Sequence, residues 1–261
     1  MESYYYREID NTISKNYIDL VYCIEDMKNS LNLSQKEIIE KIDIVDDIYN
    51  SVNIEGNQMT RNQITYFLEH DVTIRGVSFR DHIQVNNQKE ILLTLKKYLF
   101  TDLKLDLDLI LTLHNLVTKN ELPNYESGVI RNDVVHIRTT DYIPPMPEDV
   151  PYFINELIEK YNTPDENKTQ FEKICELKCN FERIHPFFDG NGRTGRLLAN
   201  ILFLKNGYPY ITVPVEERDL YFKAIENNEL NLYFAEKIYN KQLELLNQSK
   251  DNNFDYDEYE R

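Results

Sequence analysis

An all-α bundle with one short β excursion is the fold this sequence predicts. Three observations predict it. Glycine and proline are scarce, at 7 and 9 of 261 residues, which favours helices over a turn-rich β fold. Apolar residues recur at helical spacing along most of the chain. Clear β character is confined to Gly128-Val129-Ile130-Arg131-Asn132-Asp133-Val134-Val135-His136-Ile137.

Taken in order, Ile13, Tyr17, Leu20, Val21 and Ile24 mark a first helix over residues 9–30. The Tyr4-Tyr5-Tyr6 run before it reads as a packing contact. Ser34, with Glu37 three residues on, forms a capping box. It opens a helix through Ile38, Ile39, Ile42, Val45 and Ile48. That helix runs toward Ser51-Val52-Asn53-Ile54-Glu55-Gly56-Asn57, where Gly56 is a C′ stop. A carboxylate such as Glu55 in the last turn opposes the helix dipole and needs a cationic partner. Thr60 caps a short helix, and Gly76 breaks the chain. His70 and His82 have no partner pattern and read as surface residues. Residues 86–99 and 105–117 are the next helices. His114, beside the apolar face of the second, reads as a satisfied core or boundary residue rather than a ligand.

The β stretch is followed by the polar Thr139-Thr140-Asp141 and a short run, Tyr142-Ile143, ended by Pro144-Pro145. The pattern predicts a hairpin. Helices resume over 148–161 and 171–184, then from Leu197 through Leu204, then over 216–225 and 231–246. Lys250 to Arg261 is acidic, polar and tyrosine-rich, and is expected to fray.

The net charge of −16 argues against nucleic acid as a partner, because a phosphate backbone needs a basic face. No apolar run approaches the ~20 residues of a membrane span, so no membrane partner is expected. Three cysteines, Cys23, Cys175 and Cys179, point to a reducing compartment and a cytoplasmic location. Cys175 and Cys179 lie on one helix face without the further ligands of a zinc site and read as core.

Chemistry concentrates in His185-Pro186-Phe187-Phe188-Asp189-Gly190-Asn191-Gly192-Arg193-Thr194-Gly195-Arg196. Pro186 pushes His185 out of helical geometry, so the preceding helix ends near Ile184. Three close glycines, each costing about 1 kcal/mol in a helix interior, read as loop. The loop feeds the N-terminus of the next helix, a natural anion site. Arg193 and Arg196 add fork-shaped donors suited to phosphate. Gly190-x-Gly192-x-x-Gly195 also fits the dinucleotide fingerprint, but no strand precedes it and no βαβ unit surrounds it.

This stretch resembles the signature of the Fic family, His-Pro-Phe-x-Asp/Glu-Gly-Asn-Gly-Arg-x-x-Arg, at every specified position. The resemblance covers about residues 44–225 and implies the Fic fold, a helical bundle whose β-hairpin is a flap. Ser51, Glu55 and Gly56 resemble the family's inhibitory motif, Ser/Thr-x-x-x-Glu-Gly/Asn, in the class with an N-terminal inhibitory helix. The implied organisation is an N-terminal helical region over 1–85 carrying that motif, a catalytic core over 86–247 and an acidic tail over 248–261.

The implied reaction is transfer of AMP from ATP to a Ser, Thr or Tyr hydroxyl of a target protein, this chain itself included. His185 would be the base and Asp189 would hold Mg²⁺. Gly190, Asn191, Gly192, Arg193 and Arg196 would bind the nucleotide, with Tyr221 near it or packed in the core. Glu55 would pair with Arg196 and hold it from the γ-phosphate. Flap residues Val134, Val135, His136 and Ile137 would align the target. The resemblance leaves open removal of AMP and other nucleotide donors; a non-catalytic nucleotide-binding module would have to keep both the His and the Asp unused. It also leaves open the oligomeric state, a homodimer among the options.

Overall fold

The computed structural model describes residues 11–31, 35–99, 104–137 and 142–258. Ser34, the Tyr4-Tyr5-Tyr6 run and Thr139-Thr140-Asp141 lie outside the described residues. The elements are α1 (Asn11–Ser30), α2 (Gln35–Glu40), α3 (Ile44–Asn53), α4 (Arg61–His70), α5 (Phe79–Leu99) and α6 (Leu107–Thr118). Then follow α7 (Val150–Asn162), α8 (Gln170–Ile184), α9 (Asn191–Lys205), α10 (Arg218–Glu226) and α11 (Leu230–Glu258). Short 3₁₀ turns precede α7 and α10.

The pair α8 and α9 is the centre of the bundle. Thr169 starts α8 through a capping box with Glu172. Every residue of α9 from Arg193 to Leu204 is buried, so α9 is a core helix with no solvent face. Helices α6, α7, α10 and α11 pack around this pair, α1 lies on α11, and α3 lies on α5. Phe171, Phe203 and Tyr208 make an aromatic cluster between α8 and α9, with ring centroids 6.0–6.2 Å apart. No helix among the described residues is long and apolar enough to cross a membrane.

The structure departs from the sequence reading at six places, one of them the start of α5 at Phe79 rather than at residue 86. The helix expected from Ser34 to the Ser51 region is two helices. Asp43 caps α3 by accepting from the Asp46 N–H at 2.9 Å, which separates it from α2. His82 is buried, not on the surface: its Nε2 accepts from the Ile74 N–H at 2.8 Å and its ring meets Phe67 edge-on. A buried loop N–H needs an acceptor, and His82 supplies it.

Helix α9 begins at Asn191 rather than at Leu197, so Gly192 and Gly195 lie inside it. Both glycines sit where other side chains press on the helix, and that packing offsets their helix cost. A Cβ at Gly195 would meet Lys178 Nζ at 2.9 Å and Phe181 at 3.0 Å. Helix α11 continues to Glu258, because no glycine or proline follows Leu246 to stop it.

Finally, no β-strand occurs among the described residues. The described parts of 129–145 form no ladder, and the turn of the expected hairpin lies outside them. The two arms are joined instead by the Arg131 side chain. Its Nη1 donates to Asp133 O at 2.9 Å and its Nη2 to Pro145 O at 2.6 Å.

Candidate active site

Helix α8 ends at His185, which adopts a left-handed conformation (φ 51°, ψ 61°) and donates its backbone N–H to Phe181 O at 3.0 Å. That turn swings the imidazole off the helix axis toward a cavity of about 740 Å³, a size suited to a nucleotide. The His185 Nδ1 lies 3.2 Å from Glu182 O. A carbonyl only accepts, so Nδ1 carries the proton and the lone pair is at Nε2. Burial lowers the His185 pKa, outweighing the opposing charge of Glu182, so the ring is neutral at pH 7. A neutral imidazole with a lone pair on a cavity wall is fit to accept a proton.

The loop behind His185 is closed by its own side chains. Asn191 Oδ1 accepts from the Phe187 N–H at 3.0 Å, and Asn191 Nδ2 donates to Phe187 O at 2.8 Å. Asn191 therefore shapes the loop with both ends of its amide. Phe187 is buried and stacks on His114, ring centroids 3.6 Å apart. Gly190 is the N-cap of α9 at φ 76° without a side-chain cap. A Cβ there would lie 2.6 Å from Thr118 Cγ2, so glycine is required on both counts. The uncapped N-terminus of α9 leaves backbone donors for an anion.

Glu55 occupies that end of α9. A Cβ at Gly192 would collide with its carboxylate. Glu55 Oε1 accepts from Arg196 Nη1 at 2.7 Å, and Arg196 Nη2 donates to Ser51 O at 2.9 Å. Burial works to lower the Arg196 pKa, but the charge of Glu55 prevails and holds it above its usual value. The turn carrying Glu55 is fastened from two sides. Arg218 Nε donates to Ile54 O at 2.8 Å, and Asn53 Nδ2 to Met59 O at 2.9 Å. Gly56, at φ 100°, completes the turn after α3.

Arg193 has a carboxylate partner that sequence reasoning missed. Its Nη1 and Nη2 donate to the two Glu121 oxygens at 2.6 and 3.1 Å, with both side chains buried. Burial opposes ionisation of Glu121, but Arg193 and the bonds from Gln84 and Arg80 keep its pKa below the ordinary value. Arg193 Nε and Arg196 Nε are buried without a hydrogen-bond partner among the described residues. Asp189 stands on the cavity wall, its side chain 43% exposed. Its Oδ1 accepts from the Gly190 N–H at 2.6 Å and its Oδ2 pairs with Arg80. No cluster of three or more metal-ligating side chains occurs among the described residues. Asp189 is thus a single hard oxygen donor. With phosphate oxygens it would make the set that Mg²⁺ takes.

His114 is a core residue, fully buried, with its pKa lowered to about 4 by burial. Its Nδ1 accepts from the Gly128 N–H at 2.8 Å, so Nε2 donates to Asp189 O, 2.9 Å away. Val135, His136 and Ile137 line the cavity, whereas Val134 is 46% exposed and lies off its wall. Tyr221, placed by the sequence either near the nucleotide or in the core, is in the core. It is fully buried against Tyr233 and Phe234, and the next residue, Phe222, lines the cavity instead. The register of α10 turns one aromatic ring inward and its neighbour outward.

Comparison with known proteins gives a consistent picture. Residues 104–203 match the Fic/DOC family profile. The chain is similar to protein adenylyltransferase Fic of Drosophila grimshawi, 30% identical over 178 residues, which is 67% of this chain and 36% of that protein. It is 32% identical over 179 residues to protein adenylyltransferase fic-1 of Caenorhabditis elegans, covering 67% and 34% of the two chains. The chain thus spans about a third of the length of these curated relatives. Among solved structures, Fic-1 from C. elegans superposes with a TM-score of 0.78 at 25% identity, over 92% of this chain and 75% of that one. A Fic domain containing signaling protein from Bacteroides thetaiotaomicron gives 0.74 at 21% identity, over 88% and 97%, and shows the shared fold.

Proposed function

We propose that this chain, which belongs to the Fic/DOC family, transfers AMP from ATP to a hydroxyl side chain of a target protein. The observation that carries the reading is His185, its Nδ1 3.2 Å from Glu182 O, on the wall of a cavity shared with the N-terminus of α9. The target oxygen bonds to the α-phosphorus and the bond to the bridging oxygen of the β-phosphate breaks. Pyrophosphate leaves, and the hydroxyl proton passes to His185 Nε2. Backbone donors of α9, with Arg193 and Arg196, receive the phosphates. Asp189 would hold Mg²⁺, which when bound neutralises phosphate charge and steadies the leaving group. Asn191 keeps the loop in the shape that aims these groups. Residues 86–247 are the catalytic core, and the flap residues Val135, His136 and Ile137 present the target.

Glu55 keeps this chain off. Its carboxylate lies on α9 and engages Arg196, so it competes with the phosphate that would bind there. Shared access of Glu55 and His185 to one cavity supports a second reading, in which Glu55 positions water to remove AMP from a modified protein. The unpaired Cys23, Cys175 and Cys179 fit a cytoplasmic location. The test is intact-mass measurement of the Glu55→Gly chain with Mg²⁺ and each nucleoside triphosphate. An adenylyl adduct with ATP alone supports AMP transfer; adducts with another donor only, or none, reject it.

A further inference from the structure

Arg131 is among the largest fully buried side chains of the protein, 2% exposed. Its guanidinium makes no ion pair among the described residues. Instead Nε donates to His185 O at 2.8 Å, Nη1 to Asp133 O at 2.9 Å and Nη2 to Pro145 O at 2.6 Å, with Ile184 O 3.5 Å away. Its backbone N–H donates to Pro186 O at 2.9 Å. A buried cation with only carbonyl dipoles for partners is costly, and burial pushes its pKa down. Packing alone is met more cheaply by an apolar residue. A planar fork, however, is suited to holding three backbone segments at fixed angles.

The three segments it holds are the two arms of 133–145 and the peptide that carries His185. That peptide is in the left-handed region, a strained position for a non-glycine residue. Nε fixes its carbonyl, and so the direction in which the imidazole leaves the chain. The cavity-lining residues Val135, His136 and Ile137 lie between the two anchored carbonyls. His114 makes a matching tie a few residues away, from the Gly128 N–H to Asp189 O. The start of the flap is thereby fastened to both ends of the loop 185–189.

We propose that Arg131 is a positioning residue: it sets the register between the target-receiving arms 133–137 and 142–145 and His185. The proposal rests on the adenylyl-transfer reading. It differs from a purely structural role in one respect. Losing the fork should misplace the acceptor relative to the base while the α9 nucleotide site, which Arg131 does not touch, stays intact.

The experiment places Arg131→Lys and Arg131→Ala in the Glu55→Gly chain, with ATP and Mg²⁺ as donor and a His185→Ala copy of this chain as acceptor. ATP affinity, kcat and KM for the acceptor, the melting curve and amide exchange at residues 131 and 185, whose N–H groups donate to Pro186 O and Phe181 O, are measured. Arg131→Lys keeps one donor and is the variant to judge if Arg131→Ala does not fold. The expected result is ATP affinity within about twofold of the parent, transfer at least about tenfold slower, and faster exchange at residues 131 and 185. Unchanged transfer, unchanged exchange, or ATP affinity falling in step with transfer would overturn the proposal. If the Glu55→Gly parent itself labels nothing, the activity reading fails, and the exchange data alone decide whether Arg131 ties the segment.

Discussion

Replacing Glu55 by glycine removes the carboxylate that pairs with Arg196. The pair is close, 2.7 Å, with the Arg196 side chain 8% and the Glu55 side chain 28% exposed. Two unit charges at about 4 Å attract by about 4 kcal/mol at an effective dielectric constant of about 20. Solvent reaches Glu55, so about half of that, about 2 kcal/mol, is the usable difference. At ~1.4 kcal/mol per factor of ten, AMP transfer should rise about thirtyfold. Arg196 would stay in place through its bond to Ser51 O, ready for phosphate. Relief of the clash between carboxylate and phosphate adds to this, so thirtyfold is a lower bound. The assay is AMP incorporation at saturating acceptor, read beside a melting curve because the turn after α3 loses a side chain. Equal labelling by native and Glu55→Gly protein would refute autoinhibition. Loss of a native AMP-removing activity would show that Glu55 works on water.

Three further outcomes are expected. In the Glu55→Gly chain, Asp189→Asn should weaken Mg²⁺-dependent transfer by at least about tenfold, and EDTA should silence it; indifference to both would exclude Asp189 from metal binding. Lys178 and Glu182 form a buried ion pair under α9, so Lys178→Ala should cost about 3–5 kcal/mol by stranding the carboxylate and lower the melting temperature by about 10 °C; a shift near zero would contradict a charged pair. His114 is held neutral, with its folded pKa near 4 against 6.5, so its contribution is complete above pH 6.5 and is lost as pH falls toward 4. Up to about 3 kcal/mol of stability should go in that window, and His114→Gln, compared by urea titration at several pH values, should lack that slope.

The reach of sequence reasoning follows the distance over which contacts act. The loop from His185 to Arg196 was legible because base, acid, glycines and guanidiniums stand within one short segment. The Ser51-x-x-x-Glu55-Gly56 spacing was legible for the same reason, although its approach to α9 crosses 141 positions of sequence. Nothing local marks Glu121 as the partner of Arg193, or His114 as the tie to Asp189 O. Those contacts exist only once α6 lies beside α9. Arg131 was visible as text, but its partners are backbone carbonyls, which any sequence supplies and none advertises. Tyr221 and Phe222 differ only by the rotation of α10. Periodicity could not say which ring would face the cavity, because both are aromatic.

The most direct measurement of the central claim compares Glu55→Gly with the Glu55→Gly/His185→Ala double variant. Transfer of AMP from ATP is followed by intact mass, and ATP affinity by calorimetry on the same samples. The account predicts that the double variant binds ATP within a few-fold of its parent, since the α9 donors and Arg196 are untouched, while adenylyl adducts disappear. Adducts forming at the parent rate in the absence of His185 would contradict it.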